Sequence, residues 1–158
     1  MPDSDARGRT DRPFAARPPD ARALPILVVE DLDDDYETVA EAARRAGVPN
    51  PLVRVATLAE ARDAVAEADF SFVLLDVNLP DGSGTDLVRQ LRTDRKGRTV
   101  PVVVFSTSDN PRDLRDLYEA GANAYHAKGL RYPENLRTLD DIFSYWLASA
   151  LLADRPSA

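Results

Sequence analysis

A single aspartate, Asp76, ends the apolar run that begins at Phe72, and the turn-forming residues Asn-Leu-Pro-Asp-Gly follow it. A continuous apolar run of this kind predicts a strand that is buried on both faces of a parallel sheet. In open α/β sheets, ligands bind beyond the carboxyl ends of the strands, so Asp76 stands where a reactive carboxylate is expected. The alternative is that Asp76 only forms a turn or caps a helix.

Five of the six residues from 30 to 35 are acidic, and they follow another apolar run, Ile26–Val29. Carboxylates this close together repel one another unless a cation lies among them. The last three acids are favourable at the N-terminus of the helix that follows, which Asp33 or Asp34 could cap without any metal. Glu30 and Asp31 adjoin the strand end, and this interpretation explains them less well.

Two more predicted strands end in polar residues, Ser106 and Lys128. If the strand order is 2-1-3-4-5, the acids and these two groups meet at one edge of the sheet. Carboxylate oxygens suit Mg²⁺, a lysine adds positive charge, and a serine hydroxyl can bond a phosphoryl oxygen. This set could form an aspartyl phosphate, in which Asp76 attacks phosphorus while the metal and Lys128 offset the charge.

The elements that must position these residues form an α/β pattern of five strands alternating with five helices. It predicts a flavodoxin-like (βα)5 doubly wound parallel sheet with strand order 2-1-3-4-5. We expect a disordered tail over 1–23, one domain over 24–153 and a frayed end over 154–158. The charged run 92–98 is expected to be a solvated loop. The predicted strands are 24–29, 52–56, 72–75, 100–105 and 122–127, and the predicted helices are 36–46, 57–68, 85–92, 112–120 and 133–153.

The composition limits the classes of function. A net charge of −7 argues against general binding of DNA or RNA, which requires a basic surface. The sequence contains no cysteine, which excludes disulfides and thiolate chemistry. No apolar run is long enough to span a membrane and no secretory signal is present, so we expect a cytoplasmic protein.

Four short motifs, in this order and spacing, resemble those of the receiver domains of two-component response regulators. The motifs are Val-Val-Glu30-Asp31, Leu-Leu-Asp76-Val-Asn78-Leu-Pro80-Asp81-Gly82, Ser106-Thr-Ser and Tyr125-His-Ala-Lys128. The resemblance implies that Asp76 is the phosphoacceptor and that Lys128 binds the phosphoryl group. It also implies that Ser106 and Tyr125 form the switch, and that Mg²⁺ is held by Glu30, Asp31, Asp76 and the main-chain carbonyl of Asn78.

Three further features resemble those of single-domain regulators that work with phytochrome-type histidine kinases. Gly129 follows the lysine where receivers commonly have proline, a Ser/Thr-rich stretch follows the fourth strand, and the last helix contains Tyr145-Trp146. The resemblance implies a histidine kinase of the phytochrome type as the phosphodonor. Because no residues remain for an output domain, we expect the output to be a changed surface and homodimerisation through residues 112–127 and 134–152.

Two other functions fit parts of the sequence. Asp31 and Asp33 mimic the acid pair of haloacid-dehalogenase-type phosphatases, although that interpretation leaves Asp76 without a function. A receiver-like adaptor that works without phosphorylation is the other alternative, and the intact acid cluster argues against it. We therefore expect a phosphoacceptor signalling protein and not an enzyme.

Overall fold

The structure is a computed structural model that describes residues 24–149. The predicted tail over 1–23 and the predicted end over 154–158 lie outside these residues. Within them lie the five strands of the main sheet, β1 (Ile26–Val29), β2 (Leu52–Val55), β3 (Val73–Leu75), β4 (Val102–Ser106) and β5 (Ala124–Ala127). These strands are parallel and have the order β2-β1-β3-β4-β5, which confirms the predicted fold and strand order.

Within these residues, four helices connect the strands and a fifth follows β5: α1 (Asp33–Ala46), α2 (Leu58–Glu67), α3 (Gly84–Thr93), α4 (Pro111–Ala120) and α5 (Tyr132–Phe143). Together they cover both faces of the sheet, so side chains alternate between two cores. Leu27, Leu75 and Val104 pack with α2, α3 and α4, whereas Val28, Leu74 and Val103 pack with α1 and α5. All of these strand residues are buried, as expected for a sheet covered on both faces. The helix α5 continues as a π-helix over Ser144–Ser149.

Local sequence signals set several of the helix ends. Thr57 caps α2 by accepting a hydrogen bond from the N–H of Glu60, and Asn110 caps α4 ahead of Pro111. Gly47 ends α1 with a φ of 68°, a left-handed conformation that glycine adopts without steric cost.

The start of α1 differs from the prediction, because the helix begins at Asp33 and not at residue 36. Its cap is Leu32, whose side chain makes no capping hydrogen bond, so the prediction that Asp33 or Asp34 caps the helix is wrong. The three aspartates instead occupy the first turn, where they interact favourably with the positive end of the helix dipole.

A small antiparallel hairpin, formed by Asn78–Leu79 and Gly82–Ser83, follows β3 and was not predicted. Pro80 and Asp81 lie between its two-residue strands, at positions that suit a tight turn. Across residues 24–149, none of the helices combines the length and the apolar composition that crossing a bilayer requires.

Candidate functional site

The parallel pairing of the strands continues past their ends and fixes the main chain of three predicted site residues. The N–H groups of Glu30, Asp76 and Lys128 donate to the main-chain oxygens of Val55, Val29 and Ser106, at 3.0, 3.0 and 2.7 Å. These residues therefore start from one rigid edge of the sheet, as the strand order predicted.

Asp76 is buried, with 7% of its surface exposed, and both of its carboxylate oxygens are engaged. Oδ1 accepts a hydrogen bond from Ser106 Oγ at 3.0 Å and another from the N–H of Asn78 at 3.1 Å. Oδ2 accepts from Lys128 Nζ at 2.9 Å. The carboxylate is thus held in one orientation at the bottom of the site.

Lys128 lies at the centre of the acid cluster, with 5% of its side chain exposed. Its Nζ donates to Glu30 Oε2 at 2.8 Å, Asp35 Oδ2 at 2.9 Å and Asp76 Oδ2 at 2.9 Å. An ammonium group has three N–H donors, so each donor has one carboxylate acceptor.

The charges of this cluster do not balance, because three carboxylates surround one ammonium group and leave a net charge of −2. Burial raises the pKa of Glu30 to about 7, and the bonds from Lys128 offset only part of this effect. For Lys128, burial alone would lower the pKa, but the bonds to Asp35, Glu30 and Asp76 outweigh burial and raise it.

The same three carboxylates could hold a metal ion, since one oxygen from each lies within 4.8 Å of the others. Hard oxygen donors and a net charge of −2 fit a divalent cation such as Mg²⁺ or Mn²⁺. Asp35 belongs to this group although the sequence analysis assigned it only to the helix terminus. Its place follows from the early start of α1, which brings the first helical turn over the end of the sheet.

Asp31 is outside this group of three, so its predicted role as a metal ligand stays a prediction. With Asn78 it lines a neighbouring cavity of about 480 Å³ between the hairpin and α4. The cavity also contains Thr85 and Asp113, and it adjoins the acid cluster through the Glu30-Asp31 segment.

Arg54, at the end of β2, holds the acidic segment and was not identified from the sequence. Its Nε donates to the main-chain oxygen of Glu30 at 3.1 Å, and its Nη2 donates to that of Asp31 at 3.3 Å. The guanidinium also pairs with Asp33 at 2.8 Å and lies 4.9 Å from the centre of the Tyr36 ring. It therefore fixes the backbone that carries two of the predicted metal ligands.

Asp81 fixes the hairpin that carries Asn78. Its two carboxylate oxygens accept from the N–H groups of Leu58 at 2.8 Å and Ala59 at 3.2 Å, at the N-terminus of α2. These hydrogen bonds lower the pKa of Asp81. Gly84 closes the hairpin on its other side, where a Cβ atom would lie 2.9 Å from Val77 Cα.

The two predicted switch residues lie on neighbouring strands, Ser106 at the end of β4 and Tyr125 in β5, where Tyr125 pairs with Val104. Ser106 is fully buried and donates to Asp76, whereas the hydroxyl of Tyr125 donates to the main-chain oxygen of Ser108 in the loop after β4. Burial raises the pKa of Tyr125, so this hydroxyl keeps its proton.

The loop after Lys128 does not depend on proline for its shape. Asn135, in the first turn of α5, accepts from the N–H of Gly129 at 2.7 Å and donates to its carbonyl oxygen at 3.2 Å. The peptide bonds of residues 24–149 are all trans. This pair of side-chain bonds holds the loop where receivers commonly have proline.

The doubly wound sheet with an aspartate and a lysine at its carboxyl edge defines the receiver class, and the comparison with known families agrees. A family model described as the response regulator receiver domain matches residues 26–139. The chain therefore belongs to the receiver domain family of response regulators, which are signalling proteins.

Particular relatives include archaeal and cyanobacterial regulators. The probable methanogenesis regulatory protein FilR2 of Methanothrix harundinacea is 32% identical over 134 residues, covering 77% of this chain and 83% of FilR2. Response regulator Rcp1 of Synechocystis is 27% identical over 140 residues, covering 80% of this chain and 91% of Rcp1.

Two similar crystal structures come from this second group. The phosphorylated cyanobacterial phytochrome response regulator RcpA superposes with a TM-score of 0.78 at 28% identity, covering 83% of this chain and 99% of RcpA. The Mn²⁺-bound form of Rcp1 superposes with a TM-score of 0.77 at 25% identity, with the same coverage of both chains. The haloacid-dehalogenase and adaptor alternatives are not favoured by these relatives.

Proposed function

We propose that this chain accepts a phosphoryl group on Asp76 in a reaction that requires Mg²⁺. The observation that carries the proposal is the hydrogen bond of 2.9 Å between Asp76 Oδ2 and Lys128 Nζ, inside a carboxylate cluster that retains a net charge of −2. In the transfer, an oxygen of Asp76 forms the new bond to phosphorus. The bond from phosphorus to the donor breaks, and the leaving group keeps its electron pair.

We assign each site residue a role within residues 24–153, which we take as the receiver domain. Glu30, Asp31, Asp76 and the main-chain carbonyl of Asn78 would hold Mg²⁺, and the ion when bound would offset the charge of the phosphoryl oxygens. Lys128 would donate to one of these oxygens, which requires it to leave Asp76 Oδ2.

Ser106 and Tyr125 would report the phosphorylation state to the surface. The hydroxyl of Ser106, now bonded to Asp76 Oδ1, would donate to a phosphoryl oxygen instead. This would pull the end of β4 and the loop that contains Ser108. Because Tyr125 is bonded to the carbonyl of Ser108, its ring would move with that loop and change the face formed by α4 and β5.

The phosphodonor in this proposal is a histidine kinase of the phytochrome type. Support comes from the similarity to Rcp1 and to RcpA, a cyanobacterial phytochrome response regulator. The chain would promote only its own phosphorylation and dephosphorylation, so we propose a phosphoacceptor and not an enzyme with a separate substrate.

The output would be a homodimer formed through residues 112–127 and 134–152, of which 150–152 lie outside the described residues. Leu114 and Tyr118 of α4 are 38% and 47% exposed, and Tyr145 is 56% exposed. Sedimentation with and without phosphorylation would test the dimer. The variant Leu114→Asp should weaken it, whereas Leu130→Asp, at a fully exposed leucine outside this face, should not. A monomer at high concentration in both states would contradict the dimer.

The phosphorylation itself is tested with acetyl phosphate and Mg²⁺, followed by intact mass. We expect wild type to gain one phosphoryl group of about 80 Da, Asp76→Asn to gain none, and chelation of the metal to abolish the gain. A label that persists in Asp76→Asn but disappears in Asp31→Asn would move the nucleophile to the first strand and overturn the proposal.

A further inference from the structure

Asp35 forms an ion pair with Lys128 but has no role in the function proposed above. Lys128 Nζ uses its three donors on Glu30, Asp35 and Asp76, at 2.8, 2.9 and 2.9 Å. In the proposed reaction Glu30 turns to the cation and Asp76 receives the phosphoryl group. Because the proposed cation ligands are Glu30, Asp31, Asp76 and the main-chain carbonyl of Asn78, Asp35 is then the carboxylate of the three that remains available to the ammonium group.

Asp35 reaches the lysine from a helix, whereas Glu30 and Asp76 follow strands. It lies in the first turn of α1, which is anchored in the core by Val39, Ala42 and Ala43. Its side chain is 35% exposed, whereas those of Lys128 and Glu30 are 5% and 4% exposed. Asp35 is therefore the most solvent-exposed of the three carboxylates around the ammonium group.

A lysine released by both Glu30 and Asp76 has a flexible four-carbon chain and strong hydration, both of which favour its movement into solvent. A carboxylate on a fixed helix opposes this movement with a charge-assisted hydrogen bond. We infer that Asp35 is a positioning residue that retains Lys128 at the site when Glu30 and Asp76 engage the cation and the phosphoryl group. This inference rests on the proposed function and deepens it.

Asp34 provides a matched control. It is the neighbouring acid of the same helical turn, it is exposed, and its carboxylate makes no hydrogen bond or ion pair within residues 24–149. Asp34→Asn and Asp35→Asn remove the same charge from the same helix terminus. They differ in whether a bond to Lys128 is weakened.

The first experiment measures the rate of phosphorylation by acetyl phosphate at saturating Mg²⁺. We expect Asp35→Asn to be about tenfold slower than wild type, and Asp34→Asn to remain within about twofold, as expected for loss of one charge-assisted bond. In a Lys128→Met background, Asp35→Asn should produce no further decrease. Equal rates for Asp34→Asn and Asp35→Asn, or the same decrease without the lysine, would overturn the inference.

The second experiment observes the lysine directly and needs no phosphorylation. Lys96 is the other lysine of the sequence, and it is exposed and bonded to the carbonyl of Ala66. Labelling of lysine with ¹⁵N and ¹³C therefore gives one signal for the site and one internal reference. Asp35→Asn should shift the Lys128 ammonium signal and accelerate its proton exchange with water, with the Lys96 signal unchanged. An unchanged Lys128 signal would refute the contact.

Failure of the proposed function and failure of the inference about Asp35 give different results. If wild type gains no phosphoryl group on Asp76, the proposed function fails and the inference fails with it. If wild type is phosphorylated on Asp76 but Asp35→Asn behaves as Asp34→Asn, the inference alone fails.

Discussion

Replacement of Lys128 by methionine removes the ammonium group from among three carboxylates and keeps a side chain of similar length. Without a divalent cation, Glu30, Asp35 and Asp76 would face one another uncompensated, with oxygens within 4.8 Å. Removal of one partner from a buried ion pair costs about 3–5 kcal/mol, and partial exposure of Asp35 places Lys128→Met near the lower value, at about 3 kcal/mol.

Mg²⁺ should restore most of this loss in Lys128→Met, because the cluster then has a charge of −3 and no ammonium group competes for its oxygens. A ligand at 100 times its Kd stabilises the folded state by about 2.7 kcal/mol. The variant should therefore regain stability of that order in excess Mg²⁺, and wild type should regain less at the same concentration.

The assay is urea unfolding followed by circular dichroism, with chelator and with excess Mg²⁺. The pH is about 8, which lies above the pKa of Glu30 in wild type, about 7. Lys96→Met is the control and should change the free energy of unfolding by less than about 0.5 kcal/mol, as is usual for exposed positions. An equal cost for Lys128→Met in chelator and in Mg²⁺ would refute the reasoning that the lysine and the cation share these carboxylates.

Three further predictions concern stability and local structure. Arg92→Met should destabilise the fold by about 3 kcal/mol, because the Arg92 guanidinium donates to the main-chain oxygens of Gly97, Val100 and Gly121. The control, Arg89→Met, should lower the free energy of unfolding by less than about 0.5 kcal/mol, because Arg89 forms only an exposed ion pair. Equal costs of the two variants in urea unfolding would contradict this prediction. Asp81→Ala should accelerate amide hydrogen exchange at the start of α2, because two N–H groups lose their acceptor, and unchanged exchange there would be the contrary result. Without divalent cations, the stability of wild type relative to Glu30→Gln should fall as the pH rises from about 4.5 to about 7, since the unfolded chain releases this proton first. The fall is at most about 3 kcal/mol, and a rise over this window in pH-dependent urea unfolding would show that the pKa is not raised.

The fold and the pairing of Asp76 with Lys128 could be predicted because both follow from local sequence patterns. Apolar runs such as 102–105 alternate with helical segments, and a parallel sheet brings the residue at the end of each strand to one edge. For this reason Asp76 and Lys128 are neighbours in the structure although 52 positions separate them.

The residues that sequence reasoning missed act across the chain through long side chains or depend on a helix boundary. Arg54 and Arg92 bind main-chain oxygens of distant segments, and such contacts leave no periodic signal. The charged run 92–98 was expected to be a solvated loop. Arg92, which the predicted helix 85–92 already included, lies in α3, but its guanidinium binds the following loop at the carbonyl of Gly97. Asp35 was assigned to the helix terminus because the predicted start of α1 was three residues late.

The most direct test of the account identifies the residue that receives the phosphoryl group. Wild type is treated with acetyl phosphate and Mg²⁺ and then reduced with borohydride, which converts an aspartyl phosphate to homoserine. Peptide mass spectrometry then locates the homoserine in the sequence. We expect homoserine at Asp76 alone, and none when the metal is chelated. Homoserine at Asp31 or at another aspartate, with Asp76 unmodified, would contradict it.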